Sequence, residues 1–334
     1  MKYCKVILSV LAFSLIFSCS ESGSNSSNSS AQLDLKKAPI ANADSVYSFV
    51  KQQVDFGPRV PNTEEHKKAA DWYVRKFESY GANVTVQEFK DRVYDGTEVQ
   101  LKNIIASFNP SVKKRILLAA HWDTRPFADK DEVDQSQPID GANDGASGVA
   151  VLLEVARVIS QDSPSVGVDI ILFDGEDWGE PITSSGNIDP REYDKESWYC
   201  LGSQYWSKNK HRANYSAFYG ILLDMVGAED ATFLYDGVSQ QNAQRVLTRT
   251  WDIAHSLGHQ DLFIKEQGLS LGFVDDHVFV NKNARIPMID IIDYRKGEND
   301  FGPYHHRQKD NMEIISKETL IAVTEVVLTV LFNE

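Results

Sequence analysis

Three things are scarce in this chain: cysteine, long apolar runs and positive charge. Only Cys4, Cys19 and Cys200 occur in 334 residues. Cys4 and Cys19 sit close to the first residue, so Cys200 stands alone in the main body and no internal disulfide can form there. Its neighbours are apolar and no base accompanies it in sequence, so Cys200 reads as a buried structural thiol. The apolar run from Val6 to Phe17 is too short to span a bilayer. Lys and Arg number 34 against 48 Asp and Glu, a net charge of −14 spread along the chain. That balance excludes a nucleic-acid partner, which would require a basic face. Beyond Ala41 there is neither an internal repeat nor a second linker, which favours one domain. What remains is ordinary for a globular protein, 42% hydrophobic and 25% charged.

The first residues carry a separate message. A short basic start, Met1 to Lys5, precedes the apolar run, and together they read as a secretory signal over residues 1–18. Ile16-Phe17-Ser18-Cys19 resembles a bacterial lipoprotein cleavage box with Cys19 as the lipidated residue. The Ser/Asn/Gly-rich stretch after it reads as a flexible tether, residues 19–40, leaving 41–334 as the soluble catalytic body. The expectation is an exported protein, periplasmic or anchored at the outer membrane, that touches lipid only through Cys19. Which membrane face it occupies, and its oligomeric state, stay open.

Along the body, apolar residues recur at helical spacing over Ser45 to Val54 and Glu64 to Tyr80. Asn83 to Phe89 and Leu101 to Phe108 read as strands. A theme then repeats: an apolar strand followed by a polar loop. Ile116 to Ala120 leads into His121-Trp122-Asp123, and Val168 to Phe173 into Asp174-Gly175-Glu176-Asp177. Tyr219 to Leu223 leads into Asp224, and Pro287 to Ile292 into the stretch holding Phe301 and His306. Helical segments intervene at Gly148 to Ile159, Gln241 to Leu257 and Lys317 to Leu331. The pattern predicts an α/β fold: a single domain with a mixed, mostly parallel central sheet flanked by helices. Sites in such sheets form beyond the carboxyl ends of the strands, where these acids and histidines fall.

Each loop alone has a plain structural explanation, such as a helix cap or a solvated pair. Together they supply metal-ligand types at several strand ends. A catalytic zinc takes three N or O ligands and keeps one position open. Asp144, Asp177 and His306 meet that need if the fold brings them together, and Glu176 then lies beside the metal as a general acid/base.

The order of Ala120 to Arg125, Gly141 to Gly148, Phe173 to Asp177, Leu223 to Gly227, Asp275-Asp276-His277 and His306 resembles the zinc aminopeptidase clan M28. Within it the chain is similar to the animal-type glutaminyl-peptide cyclotransferases that also occur in bacteria, over essentially everything from Val46 onward. That resemblance implies a zinc-aminopeptidase-like fold and peptide or protein substrates with N-terminal glutamine, converted to pyroglutamate with loss of ammonia. It implies one Zn2+ per chain on Asp144, Asp177 and His306, with Glu176, Asp224 and Asp275 handling protons. A two-zinc aminopeptidase would instead recruit His121 and Asp224 for a second metal, with Asp144 bridging. A third possibility is an inactive peptide-binding lipoprotein. Asp275 in place of serine, the turn Phe173 to Trp178 with its following insertion, and Phe301 before His306 match the cyclases. His305 departs from them, standing where animal cyclases carry tryptophan. This implies a rebuilt substrate pocket, with Trp178, Trp198 and Phe301 as candidate walls. The insertion from Glu180 to Ser197 borders the site or is a surface loop.

Overall fold

Strands that are apolar on both faces need cover on both sides, and the folded chain supplies it. The computed structural model describes residues 33–181, 189–271, 273–295 and 301–334. The expected signal segment, Cys19 and most of the tether lie outside these residues, as does the middle of the 180–197 insertion.

Eight strands are described: β1 (Asn83–Arg92), β2 (Glu98–Phe108), β3 (Arg115–His121), β4 (Gly167–Phe173), β5 (Tyr219–Asp224), β6 (Phe233–Tyr235), β7 (Phe263–Gln267) and β8 (Met288–Ile292). The helices are α1 (Ala43–Val54), α2 (Glu64–Ser79), α3 (Ala146–Gln161), α4 (Leu201–Lys208), α5 (Gly237–Ser256), α6 (Asp276–Phe279) and α7 (Lys317–Phe332). The main sheet runs β1-β2-β4-β3-β5-β8. β4, β3, β5 and β8 are parallel, while β2 joins β4 antiparallel and pairs with β1 as an antiparallel edge. β6 and β7 form a separate parallel pair.

Alternation along each strand divides the core. Ile116, Leu118 and Ala120 of β3 join Ile170, Leu172, Ile221 and Leu223 against α1, α3, α5 and α7. Leu117 and Ala119 point the other way, onto Ile171, Leu222, Trp206 of α4 and Val280. Asn42, Thr63, Asp236 and Ser316 cap α1, α2, α5 and α7 by accepting backbone N–H bonds. The Asp236 cap starts α5 four residues before the expected Gln241, and the backbone leaves helical values at Ala243 (φ −141°), where the two pieces join. No described helix is long and apolar enough to cross a membrane.

One register point controls the site. α3 crosses the sheet at Gly148, where an added Cβ would lie 2.3 Å from the Leu223 carbonyl oxygen and 3.0 Å from the Ala120 Cβ. Gly148→Ala is expected to lower stability by about 1–3 kcal/mol through overpacking against the sheet. Alanine's better helix propensity does not offset a backbone clash, and a lower denaturation midpoint would show the loss.

Candidate active site

The register aligns His121 with Phe173, and Asp224 with Ile292, so four parallel strands end at one edge of the sheet. The polar loops leave from that edge. Asp144 lies in the turn before α3, between Gly141 (φ 60°) and Gly145 (φ 97°). A side chain at Gly145 would meet the Asp123 carbonyl oxygen at 2.8 Å and His121 Cε1 at 3.2 Å, so only glycine serves. The Asn143 and Asp144 N–H groups donate to the Asp310 carboxyl at 2.7 and 3.0 Å. Burial, reinforced by nearby Asp144, pushes Asp310 up to about 8 against the pull of those N–H groups and Arg59.

Asp177 follows β4 through Gly175 (φ 70°). The Asp123 carboxylate accepts the Glu176 and Asp177 N–H groups at 3.0 and 3.2 Å. Arg125 donates to the Asp177 carbonyl at 3.0 Å and its carboxylate at 3.3 Å, and is itself gripped by Asp129 at 2.7 and 2.9 Å. His306 adopts a left-handed backbone (φ 57°), rare outside glycine, which sends its ring inward. Its Nε2 lies 3.1 Å from Asp177 Oδ1 and 3.9 Å from Asp144 Oδ2. The three expected metal-ligand residues are therefore neighbours. Asp177 Oδ2 is buried without a hydrogen-bond partner, and burial with the adjacent Asp144 raises the Asp177 carboxyl above the ordinary range. Two buried carboxylates and an imidazole with an uncommitted oxygen are a donor set that suits a divalent cation, zinc among them.

A second convergence lies beside it. His121 Nε2 is 3.0 Å from Asp144 Oδ1 and 3.1 Å from Asp224 Oδ1. Ligand atoms of these three residues fall within 4.8 Å of one another, as do those of Asp144, His305 and His306. Burial opposes charge on His121, but Asp123, Asp144 and Asp224 hold its pKa well above the usual value. Burial, against the pull of His121, pushes Asp224 up to about 7.

Glu176 is partly open to the cleft, and desolvation raises its pKa well above the ordinary glutamate value, with Asp177 and Asp275 adding to the effect. Asp275 caps α6, and its carboxylate accepts the Asp276 N–H. Ligand atoms of Glu176, Cys200 and Asp275 fall within 4.8 Å of one another. Cys200 is buried as expected, yet its thiol donates to Glu176 Oε1 at 3.2 Å and its N–H to the Glu176 carbonyl at 2.9 Å. Nothing in the local sequence signals that contact, because the two residues are 24 positions apart.

These groups line a cleft of about 350 Å³. Asp144, Glu176, Asp177, Asp224, Asp275 and His306 form its polar floor, and Tyr199, Phe273 and Phe301 provide aromatic wall. Of the three aromatics expected from sequence, Phe301 lines the cleft. Trp178 packs instead toward Phe89 and Leu101, and Trp198 lies tilted against Tyr193 with Lys195 over its ring. Ser197 and Tyr199 line the cleft on either side of Trp198. Phe273 and Lys130 also line the cleft without a motif to announce them.

The model of peptidase family M28 matches residues 103–331. Among solved structures, a Bacteroides thetaiotaomicron glutaminyl cyclase bound to N-acetylhistamine is 48% identical with a TM-score of 0.84, covering 89% of this chain and 100% of that one. A Zn-dependent exopeptidase from Parabacteroides distasonis is 45% identical with a TM-score of 0.85, again over 89% and 100%. Curated relatives are covered less evenly. The chain spans 73% of the Drosophila melanogaster glutaminyl-peptide cyclotransferase, at 23% identity over 282 residues that make up 78% of this chain. It spans 33% of an Escherichia coli protein, YfbL, at 35% identity over 116 residues, 35% of this chain.

Proposed function

The chain belongs to peptidase family M28, and from that premise we propose that it is a zinc-dependent glutaminyl-peptide cyclotransferase. It converts the N-terminal glutamine of peptides or proteins to pyroglutamate and releases ammonia. The observation that carries the reading is Glu176 and Asp275 facing one cleft beside Asp144, Asp177 and His306. Glutaminyl cyclases at 46–48% identity support it.

Asp144, Asp177 and His306 would hold one zinc, which when bound would supply Lewis acidity toward the γ-amide carbonyl. The remaining work falls to the chain's own groups. The aromatic wall excludes water and folds the substrate back on itself, so that its amine meets its own side-chain carbonyl. The Glu176 carboxylate takes a proton from the N-terminal ammonium and returns one to the departing amide nitrogen. Asp275 orients that nitrogen, and Asp224, with its raised pKa, shares a proton with the acid cluster. A carboxyl with an elevated pKa is suited to such a shuttle, because it takes and releases protons near neutral pH.

The convergence of His121, Asp144 and Asp224 favours one alternative, a two-zinc aminopeptidase. Asp275, which faces Glu176 across the cleft, favours the cyclase over it. Paired substrates separate the two. An N-terminal glutamine dipeptide amide is followed for ammonia release without peptide-bond cleavage, and a leucine arylamide for cleavage. Ammonia and a pyroglutamyl product, with the leucine substrate inert, are expected. Leucine release without cyclisation would assign His121 and Asp224 to a second metal and replace the cyclase with a peptidase.

A further inference from the structure

The cleft is floored by carboxylates, yet one ammonium looks into it. Lys130 is the single lysine or arginine among its described lining residues. Its Nζ lies 2.6 Å from His305 Nδ1 and 5.9 Å from the centre of the Phe301 ring, and no described carboxylate stands within ion-pair distance of it. An imidazole acceptor uses one of three ammonium N–H donors. Burial lowers the pKa of Lys130 from its ordinary value, so the charge is held at some expense in hydration. A partly desolvated cation with spare donors facing a cavity is complemented best by an anion. Asp129, Asp144 and Asp177 act on Lys130 only through space, and each is already engaged on at least one oxygen, Asp129 by Arg125, Asp177 by Arg125 and His306, and Asp144 by His121. A contacting anion is thus left for the ligand to bring.

The position of Lys130 suggests which part of a ligand it meets. Its backbone N–H donates to the His306 carbonyl at 3.3 Å, and the His305 and His306 rings are 3.8 Å apart between centroids. One imidazole thus separates the ammonium from His306. Lys130 and His306 line one cleft, so a substrate whose glutamine side chain occupies the His306 end can direct its next residue toward Lys130.

We propose that Lys130 recognises a substrate carboxylate placed just after the N-terminal glutamine, so that the preferred substrates are short acidic glutaminyl peptides. This rests on the cyclase reading above. The carboxylate has two sources, the free C-terminus of a dipeptide or the side chain of an acidic second residue.

The test uses the zinc-loaded chain, its Lys130→Gln and Lys130→Arg variants, and three substrates followed for ammonia. Gln-Ala amide carries no carboxylate, Gln-Ala carries it at the C-terminus, and Gln-Glu amide carries it on the second side chain. At least one carboxylate substrate is expected to exceed Gln-Ala amide in kcat/KM by about tenfold, mainly through KM, the scale of one charge-assisted hydrogen bond. The substrate that gains identifies the source. In Lys130→Gln that ratio falls to about one, and Lys130→Arg retains most of it. A wild-type ratio near one, or the same ratio in Lys130→Gln, overturns the proposal while leaving the cyclase standing. No ammonia from any substrate with the wild-type chain overturns the cyclase itself and this proposal with it.

Discussion

Glu176→Gln lowers kcat for cyclisation of N-terminal glutamine by about a hundred- to ten-thousandfold, the usual range for loss of an acid/base group, and leaves zinc content unchanged. The substitution is nearly isosteric. The backbone at Glu176 and Asp177 is held by Asp123, so the turn keeps its shape. A glutamine carbonyl can still accept the Cys200 thiol, which keeps the side chain where the carboxylate was. What disappears is the ability to carry a proton between attacking and leaving nitrogens. KM should therefore move far less than kcat. Turnover and metal analysis on the same preparation decide the matter. A variant that loses its zinc would show Glu176 to be a ligand and would undo the division of roles between Glu176 and Asp177.

The second large effect concerns the opposite end of the sheet. Arg115→Ala is expected to cost about 3–5 kcal/mol of stability, as for other buried ion pairs that lose one partner. Arg115 is 5% exposed and Asp169 fully buried. The guanidinium grips Asp169 with Nε and Nη2, and donates as well to the carbonyls of Phe108, Asn109, Val112 and Val168. Burial opposes charge on Asp169, but Arg115, Ser107 and Tyr215 hold its carboxyl below the ordinary range. Without the arginine, two hydroxyls and the more exposed Arg212, 3.8 Å from Asp169 Oδ2, face a buried carboxylate, and four carbonyls lose a donor. Arg115 opens β3 and His121 closes it, which separates the pair from the cleft by ~20 Å of strand. The denaturation midpoint should drop sharply while kcat per folded molecule holds. A parallel loss of kcat would mean that the base of the sheet communicates with the cleft.

That ion pair also marks a limit of what could be read from the residues. β3, β4, β5 and β8 were legible because unbroken apolar runs are rare outside a sheet buried on both faces, and the acids after them followed from where such strands end. Asp169 sits inside one of those runs. Its partner is 54 positions away and no local pattern joins them. The same holds for Cys200, whose neighbours describe a buried thiol and say nothing of the carboxylate it meets. α6, with four residues, is too short to show a period, and β6 and β7 pair with each other outside the main sheet. Trp178 and Trp198 illustrate a different limit. Tryptophan near a site is a sound cue for a wall, but in an irregular segment the direction of a side chain cannot be deduced, and Tyr199 faces the cleft instead.

The two carboxylates that accept backbone N–H groups, Asp123 behind Glu176 and Asp177 and Asp310 behind Asn143 and Asp144, shape the order of events in the protein's maturation. In small zinc modules the ion and the fold arrive together, because nothing else gathers the ligands. Here the turns carrying Asp144 and Asp177 are moored by the carboxyl groups of Asp310 and Asp123, and His306 is brought in by backbone conformation. On the proposed zinc assignment, the chain is expected to complete its fold first and acquire the metal later, so that loading becomes a separate step, set by the metal supply around the finished protein.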